Sequence, residues 1–480
     1  MFVRPGKWIS FVKVPGAARA LCVVVALAAA AAAAALPNLL PFRDSSGVLE
    51  TYSPAGSLDT GSPFFQSLGT NGRSCATCHV PGNAFGLSAA HVQRVYARTA
   101  GHDPLFAPVD GAVCDSQPQN VALLRHYGLF RIALQLAANP QFTITAVHDP
   151  YGCALVTDPT TGAVTVSVYR RPLPATNLGF LTAVQFDGRE TVAPLNNPNT
   201  FAANLITDLK HQALDATLGH AQAAVEPTDA QLTQIVAFEG ALKSAQAVDS
   251  NAGQLNSEGG LGGPMALTKM PFFPGINDPL GGNPTGAPFN PRAFNLYSQW
   301  ATSGDPYRRS VARGEEIFNT HPLFINDVRG LNDALNQPMI NGTCSTCHDT
   351  PGVGDHSLPV PLEIGTSRSA QFETDPQIQA AVSQLSTPDL PVFQIVCNEG
   401  IYSGQITYTS DPGKATLSGL CSDVGRGKGP VLRGLAARGP YFHNGAAANL
   451  DEVVDFYNLR FQMNLTDQEK ADLVNFLKTL

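Results

Sequence analysis

Residues 75–79 read CATCH, and residues 344–348 read CSTCH. A C-x-x-C-H run is the attachment signature of a c-type haem: both thiols add to the porphyrin's vinyl groups, and the histidine that follows ligates iron. A redox dithiol or half of a zinc site shares the C-x-x-C spacing but needs no histidine directly after both second cysteines. The two runs therefore predict two covalently bound haems, one on Cys75, Cys78 and His79 and one on Cys344, Cys347 and His348.

The chain has nine cysteines, so five lie outside the two runs. Cys22 sits in an apolar N-terminal segment. Cys114, Cys153, Cys397 and Cys421 form an even remainder that reads as disulfides in an exported protein. Local pairing, Cys114 with Cys153 and Cys397 with Cys421, keeps each bridge within one domain; the two other pairings stay open. Export is itself predicted by residues 1–36, where Arg4, Lys7, Lys13 and Arg19 precede an apolar run from Ala20 to Leu36 that Pro37 ends. This pattern is a secretory signal leading to a bacterial periplasm, with a retained membrane anchor as the rival reading. The formal net charge of −8 becomes −12 without those four basic residues, which argues against nucleic acid as a partner.

An internal repeat follows the two runs. PTDAQLTQIVAFEGAL (227–242) aligns without a gap against LTDQEKADLVNFLKTL (465–480), and both begin with a capping box ahead of an apolar helical pattern. Upstream, QFDGRE (185–190) stands where YFHNGA (441–446) stands, and DLKHQALDA (208–216) where NLDEVVDFY (449–457) stands. In that register Tyr457 aligns with Ala216. One haem would have an oxygen able to ligate iron, and the other would have a methyl group beside an open coordination position.

These residues resemble the bacterial di-haem cytochrome c peroxidase and MauG superfamily. The similar stretches are PFFQSLGTNGRSCATCHVPGNAF (63–85), FDGRE (186–190), DLKHQALDATLGHAQA (208–223), RRSVARGEEIF (308–318), GTCSTCHDTP (342–351) and GPVLRGLAARGPYFHNGAAANLDEVVDFYN (429–458). The resemblance implies a peroxide-reactive N-terminal haem and a six-coordinate C-terminal haem. Counting fourteen residues from His443 of PYFH reaches Tyr457, where the peroxidase branch carries a methionine ligand and the MauG branch a tyrosine. His348 and Tyr457 are thus the implied axial ligands, with Met463 as the rival. A tyrosinate favours higher oxidation states of iron, a thioether the reduced state. The implied activity is reduction of hydrogen peroxide. Electrons would come from a small periplasmic cytochrome c or cupredoxin, or from an oxidisable residue on a partner protein. The family's calcium ion at the domain interface maps onto Asn177 and the carbonyls of Arg438 and Pro440.

Two departures stand out. Phe186 replaces the tryptophan expected between the haems, and Trp300 is the sole tryptophan beyond the signal, so relay of charge between the haems is put in doubt. Gln212 matches the family's pocket glutamine, but the catalytic glutamate position holds Gln222. His220, on the Gln212 face of a helix, is the candidate for moving the peroxide proton, work that a histidine does near neutral pH.

The expected architecture is mainly α, with two tandem c-type cytochrome domains and long loops. The N-terminal haem domain covers 45–255 and carries an insertion, 110–172, in which FTITAV and VTVSVY form a small β-hairpin around DPTTG. Residues 256–305 are a Gly/Pro-rich connector, and 306–480 form the C-terminal haem domain. GRGKGP (425–430) reads as a haem-propionate contact or a plain loop. A purely electron-transfer cytochrome and a di-haem oxygenase are the competing functions.

Overall fold

The computed structural model describes residues 35–191, 198–352 and 357–480. The predicted signal, residues 1–36, lies outside the described residues apart from Ala35 and Leu36. No helix of the described residues is long and apolar enough to cross a membrane.

Five helices frame the two C-x-x-C-H runs: α1 (Pro198–Gly219), α2 (Asp229–Ala241), α3 (Pro306–Thr320), α4 (Leu450–Arg460) and α5 (Asp467–Leu477). The repeated helices α2 and α5 both start on reciprocal caps. Thr228 Oγ1 accepts from the Gln231 N–H while Gln231 Oε1 accepts from the Thr228 N–H, and Thr466 and Glu469 do the same. The caps fix which face points inward. Leu232 and Ile235 of α2 pack with Phe64, Phe85, Ala213 and Cys75, and Leu473, Val474 and Phe476 of α5 pack with Phe318, Cys344 and Cys347. Each C-x-x-C-H run thus has its own apolar cluster.

Helix α3 crosses α5 at Gly314. A Cβ there would lie 2.1 Å from the Asp472 carbonyl oxygen, so only glycine allows the backbones to come this close. The buried Asp472 carboxylate is satisfied at the same crossing by Ser310 Oγ (2.5 Å) and Arg313 Nε (2.7 Å). Phe294, Leu296, Tyr297 and Trp300, from the end of the Gly/Pro-rich stretch, are buried in the same cluster.

The strands correct the expectation of a mainly α chain. Among the described residues five small sheets accompany the helices. Those used below are β1 (Gly47–Tyr52), β2 (Phe130–Gln135), β3 (Phe142–His148), β4 (Leu155–Thr157), β5 (Val164–Arg170), β6 (Lys243–Asp249), β7 (Val392–Cys397) and β8 (Ile406–Thr409). β1 pairs antiparallel with β6.

The predicted hairpin is also corrected. The DPTTG turn joins β4 to β5, and β5 lies between β4 and β2. β3 instead pairs with β7, Ile144 opposite Ile395 and Phe142 opposite Cys397, and β8 flanks β7 on its other side. Alternation of apolar residues marks a segment as a strand but carries no information about its partner. The disulfides follow the local pairing, Cys114 with Cys153 and Cys397 with Cys421, at Cα separations of 6.1 and 5.8 Å.

Candidate functional site

The first C-x-x-C-H run forms a single helical turn, Cys75–Cys78, closed by a Ser74/Thr77 capping box. His79 follows it, and its Nδ1 lies 3.0 Å from the Phe85 carbonyl oxygen. A carbonyl only accepts, so Nδ1 carries the proton and Nε2 keeps a lone pair for a metal. Burial holds His79 below its ordinary histidine value, which keeps the ring neutral, and it pushes both thiols up to about 12. The Phe64 ring packs against the imidazole and, on another side, edge-on against Phe85.

Cys75, Cys78, His79 and Phe64 open on a cavity of about 200 Å³. Helix α1 supplies another wall through Gln212, Ala216 and His220, which recur every fourth residue and so share one helix face. Helix α1 stops at Gly219, so His220 stands at its end, half exposed. Its Nδ1 is 2.5 Å from Asp110 Oδ2, and Asp110 Oδ1 receives Arg73 Nη1 at 2.5 Å. Burial alone would raise Asp110; the His220 hydrogen bond and the Arg73 charge outweigh it and hold the carboxyl below its ordinary value. Nothing local in the sequence pointed to Asp110, which is 110 residues from His220.

Gln222 does not join this wall. Past Gly219 the chain leaves the helix, Gln222 adopts φ 54°, and its side chain approaches Asn71 while its carbonyl accepts from Thr70. Lys428 of the GRGKGP loop does line the cavity. So does the buried Glu239, whose carboxyl burial pushes up to about 8, making it neutral at physiological pH.

Phe186 lines the cavity and stacks on His443, with ring centroids 4.0 Å apart. The ring fits because residue 427 is glycine; a Cβ there would sit 2.1 Å from it. Arg170 lies over the same ring and bridges the buried carboxylates of Asp187 and Asp411.

Around the second run the apolar cluster of α3, α4 and α5 brings together Cys344, Cys347 and Tyr457. Burial, and then the neighbouring Cys344 and Cys347 thiols, raise the Tyr457 phenol above its ordinary value. Burial likewise pushes Cys344 up to about 12. His348 packs against Phe318 at 5.9 Å. Met463 is buried in the same cluster, and its carbonyl lies 2.7 Å from His321 Nε2. Asn177 is fully buried, and its amide is bonded both ways to the Ser244 backbone.

No family model matches the chain. Among curated proteins it is 28% identical over 204 residues to cytochrome-c peroxidase IdrP1 of Pseudomonas sp. (strain SCT), covering 38% of this chain and 51% of that protein. It is 42% identical over 154 residues to cytochrome-c peroxidase IdrP1 of Denitromonas iodatirespirans, covering 28% of this chain and 36% of that protein. Over these stretches the chain is similar to proteins named cytochrome-c peroxidases. It spans about half the length of the Pseudomonas peroxidase and 36% of the Denitromonas one. A solved structure of a MauG-like protein associated with microbial copper homeostasis matches at 15% identity and a TM-score of 0.27, over 68% of this chain and 79% of that one.

Proposed function

We propose that the chain is a periplasmic di-haem c peroxidase. One haem would be held by Cys75, Cys78 and His79 and the other by Cys344, Cys347, His348 and Tyr457. The observation that carries this reading is the contrast between the two sites: Ala216 offers the first cavity a methyl group, whereas its counterpart Tyr457 lies beside the second pair of thiols. Bound haem supplies one-electron chemistry at iron, open to a small oxidant where the protein leaves a coordination position free.

The chain's own groups handle the protons. Reduction of hydrogen peroxide to two waters breaks the O–O bond and takes up two electrons and two protons. Asp110 fixes the proton of His220 on Nδ1, leaving Nε2 to take the proton from one peroxide oxygen and return it to the departing one. The Gln212 amide orients the peroxide, and Arg73 keeps Asp110 ionised so that the imidazole holds its tautomer. Electrons come from a small periplasmic cytochrome c or cupredoxin.

Tyr457 favours a second reading, oxidation of a residue on a partner protein, because a phenolate ligand stabilises oxidised iron. Phe186 in place of tryptophan weighs against it, since phenylalanine is a poor site for a travelling positive charge. The test is electron paramagnetic resonance of the haem-loaded ferric protein, combined with peroxide turnover on reduced cytochrome c. The proposal requires one high-spin and one low-spin haem, loss of the high-spin signal on adding peroxide, and steady oxidation of the donor. Two low-spin haems unaffected by peroxide would leave an electron-transfer cytochrome instead.

A further inference from the structure

Three backbone carbonyls from the two ends of the chain, those of Leu87, Arg438 and Pro440, converge on a single positive charge. That charge is the Arg171 guanidinium: Nη1 donates to the Pro440 carbonyl, and Nη2 donates to those of Leu87 and Arg438. The Arg171 backbone N–H also donates to the His443 carbonyl at 2.7 Å, so main chain and side chain both grip the 438–443 segment. Among the described residues no carboxylate shares this site; the charge rests on carbonyl dipoles, with a second guanidinium, that of Arg438, nearby.

Two of these oxygens, Arg438 and Pro440, are the ones the family resemblance assigns to a calcium ion. The residues present do not fit that ion. Calcium takes six to eight oxygens at about 2.3–2.6 Å. Here the carbonyls are already engaged by a guanidinium, and the third expected ligand is elsewhere: Asn177 Oδ1 accepts from the Ser244 N–H at 3.1 Å, and its Nδ2 donates to the Ser244 carbonyl at 2.8 Å. A divalent cation entering the cradle would also meet a fixed positive charge at contact distance, a strong repulsion in a partly buried place.

We infer that Arg171 stands in for the divalent cation, tying the 438–443 segment to the Leu87 loop so that this joint forms without calcium. A guanidinium tethered to the main chain cannot be chelated away, and its planar array of N–H donors suits several carbonyls at once, which a lysine ammonium does not match. The joint lies beside the Phe186–His443 stack, because Arg171 holds His443 by its carbonyl.

The test uses the full haem-loaded chain, dialysed against EGTA and then titrated with CaCl2 by calorimetry, with thermal melting followed in both conditions. We expect no saturable calcium binding up to millimolar concentration and the same melting temperature in EGTA and in CaCl2. One-to-one calcium binding, or a lower melting temperature in EGTA, would overturn the inference. Arg171→Ala should melt several degrees lower than wild type in EGTA; melting at the wild-type temperature would equally overturn it. Should Arg171→Ala fail to fold, Arg171→Lys gives the same readout on a retained charge, and the wild-type titration decides by itself.

Discussion

Phe186 lies nearly flat on His443, the ring planes 13° from parallel and the centroids 4.0 Å apart. One ring comes from the FDGRE motif and the other from PYFH, so the two repeats meet here, one position out of their alignment register. The contact is enclosed by Arg170 and Asp411, and His443 Nε2 lies 3.5 Å from Asp411 Oδ2. A neutral imidazole stacks there without strain, whereas a charged one would be poorly solvated.

Stability should therefore depend on pH through His443. Burial, partly offset by Asp411, lowers its pKa from 6.5 to about 4. As pH falls below 6.5 the unfolded chain takes up this proton before the folded one does. The contribution is complete above pH 6.5, is lost progressively as pH falls to about 4, and amounts to roughly 3 kcal/mol across that window. Melting curves of wild type and His443→Phe over pH 4–7 should diverge, with the variant lacking this part of the slope. Parallel curves would mean that another group titrates.

His220→Ala should slow the reaction with peroxide about 100-fold or more, the usual worth of a positioned acid–base group. Asp110→Asn should leave the haem spectra unchanged, slow the same step and shift its pH profile, because the amide no longer selects the Nδ1–H tautomer. Stopped-flow mixing with peroxide measures both. Unchanged rates in His220→Ala would remove it from the mechanism.

Tyr457→Phe should abolish or shift the low-spin ferric signal while leaving the high-spin signal in place. An unchanged low-spin spectrum would transfer the ligand role to Met463, which Met463→Leu would then confirm by losing that signal.

Gly314→Ala forces a methyl group into the Asp472 carbonyl at the α3–α5 crossing and should destabilise the fold by about 1–3 kcal/mol. The melting temperature reads this directly. A wild-type value would show that the helices can separate to admit a side chain.

Much of the site could be read from local pattern. The C-x-x-C-H runs and the two capping boxes are contiguous signals, and Gln212 and His220 fall on one broad side of the helix, because eight residues at 3.6 per turn leave them about 80° apart around the axis. The short-range disulfides follow from chain proximity. Gln222, the residue at the resemblance's glutamate position, stands off the cavity wall because α1 ends at Gly219 and the chain turns away. Asp110, Arg73 and Arg171 act through contacts across large sequence separations, for which a single sequence has no marker. The same limit hid the partner of β3, whose alternation was plain but whose pairing residues in β7 lie far along the chain, Val392 opposite His148 and Cys397 opposite Phe142.

That pairing makes the two C-x-x-C-H halves of the chain hard to separate. β7 is the middle strand of its sheet, with β8 on one side and β3, from the other half, on the other. A fragment begun after the Gly/Pro-rich stretch would keep its own C-x-x-C-H run but bare one edge of β7, exposing a row of unpaired amides and carbonyls. Such a fragment would gather into aggregates rather than serve as a one-haem cytochrome.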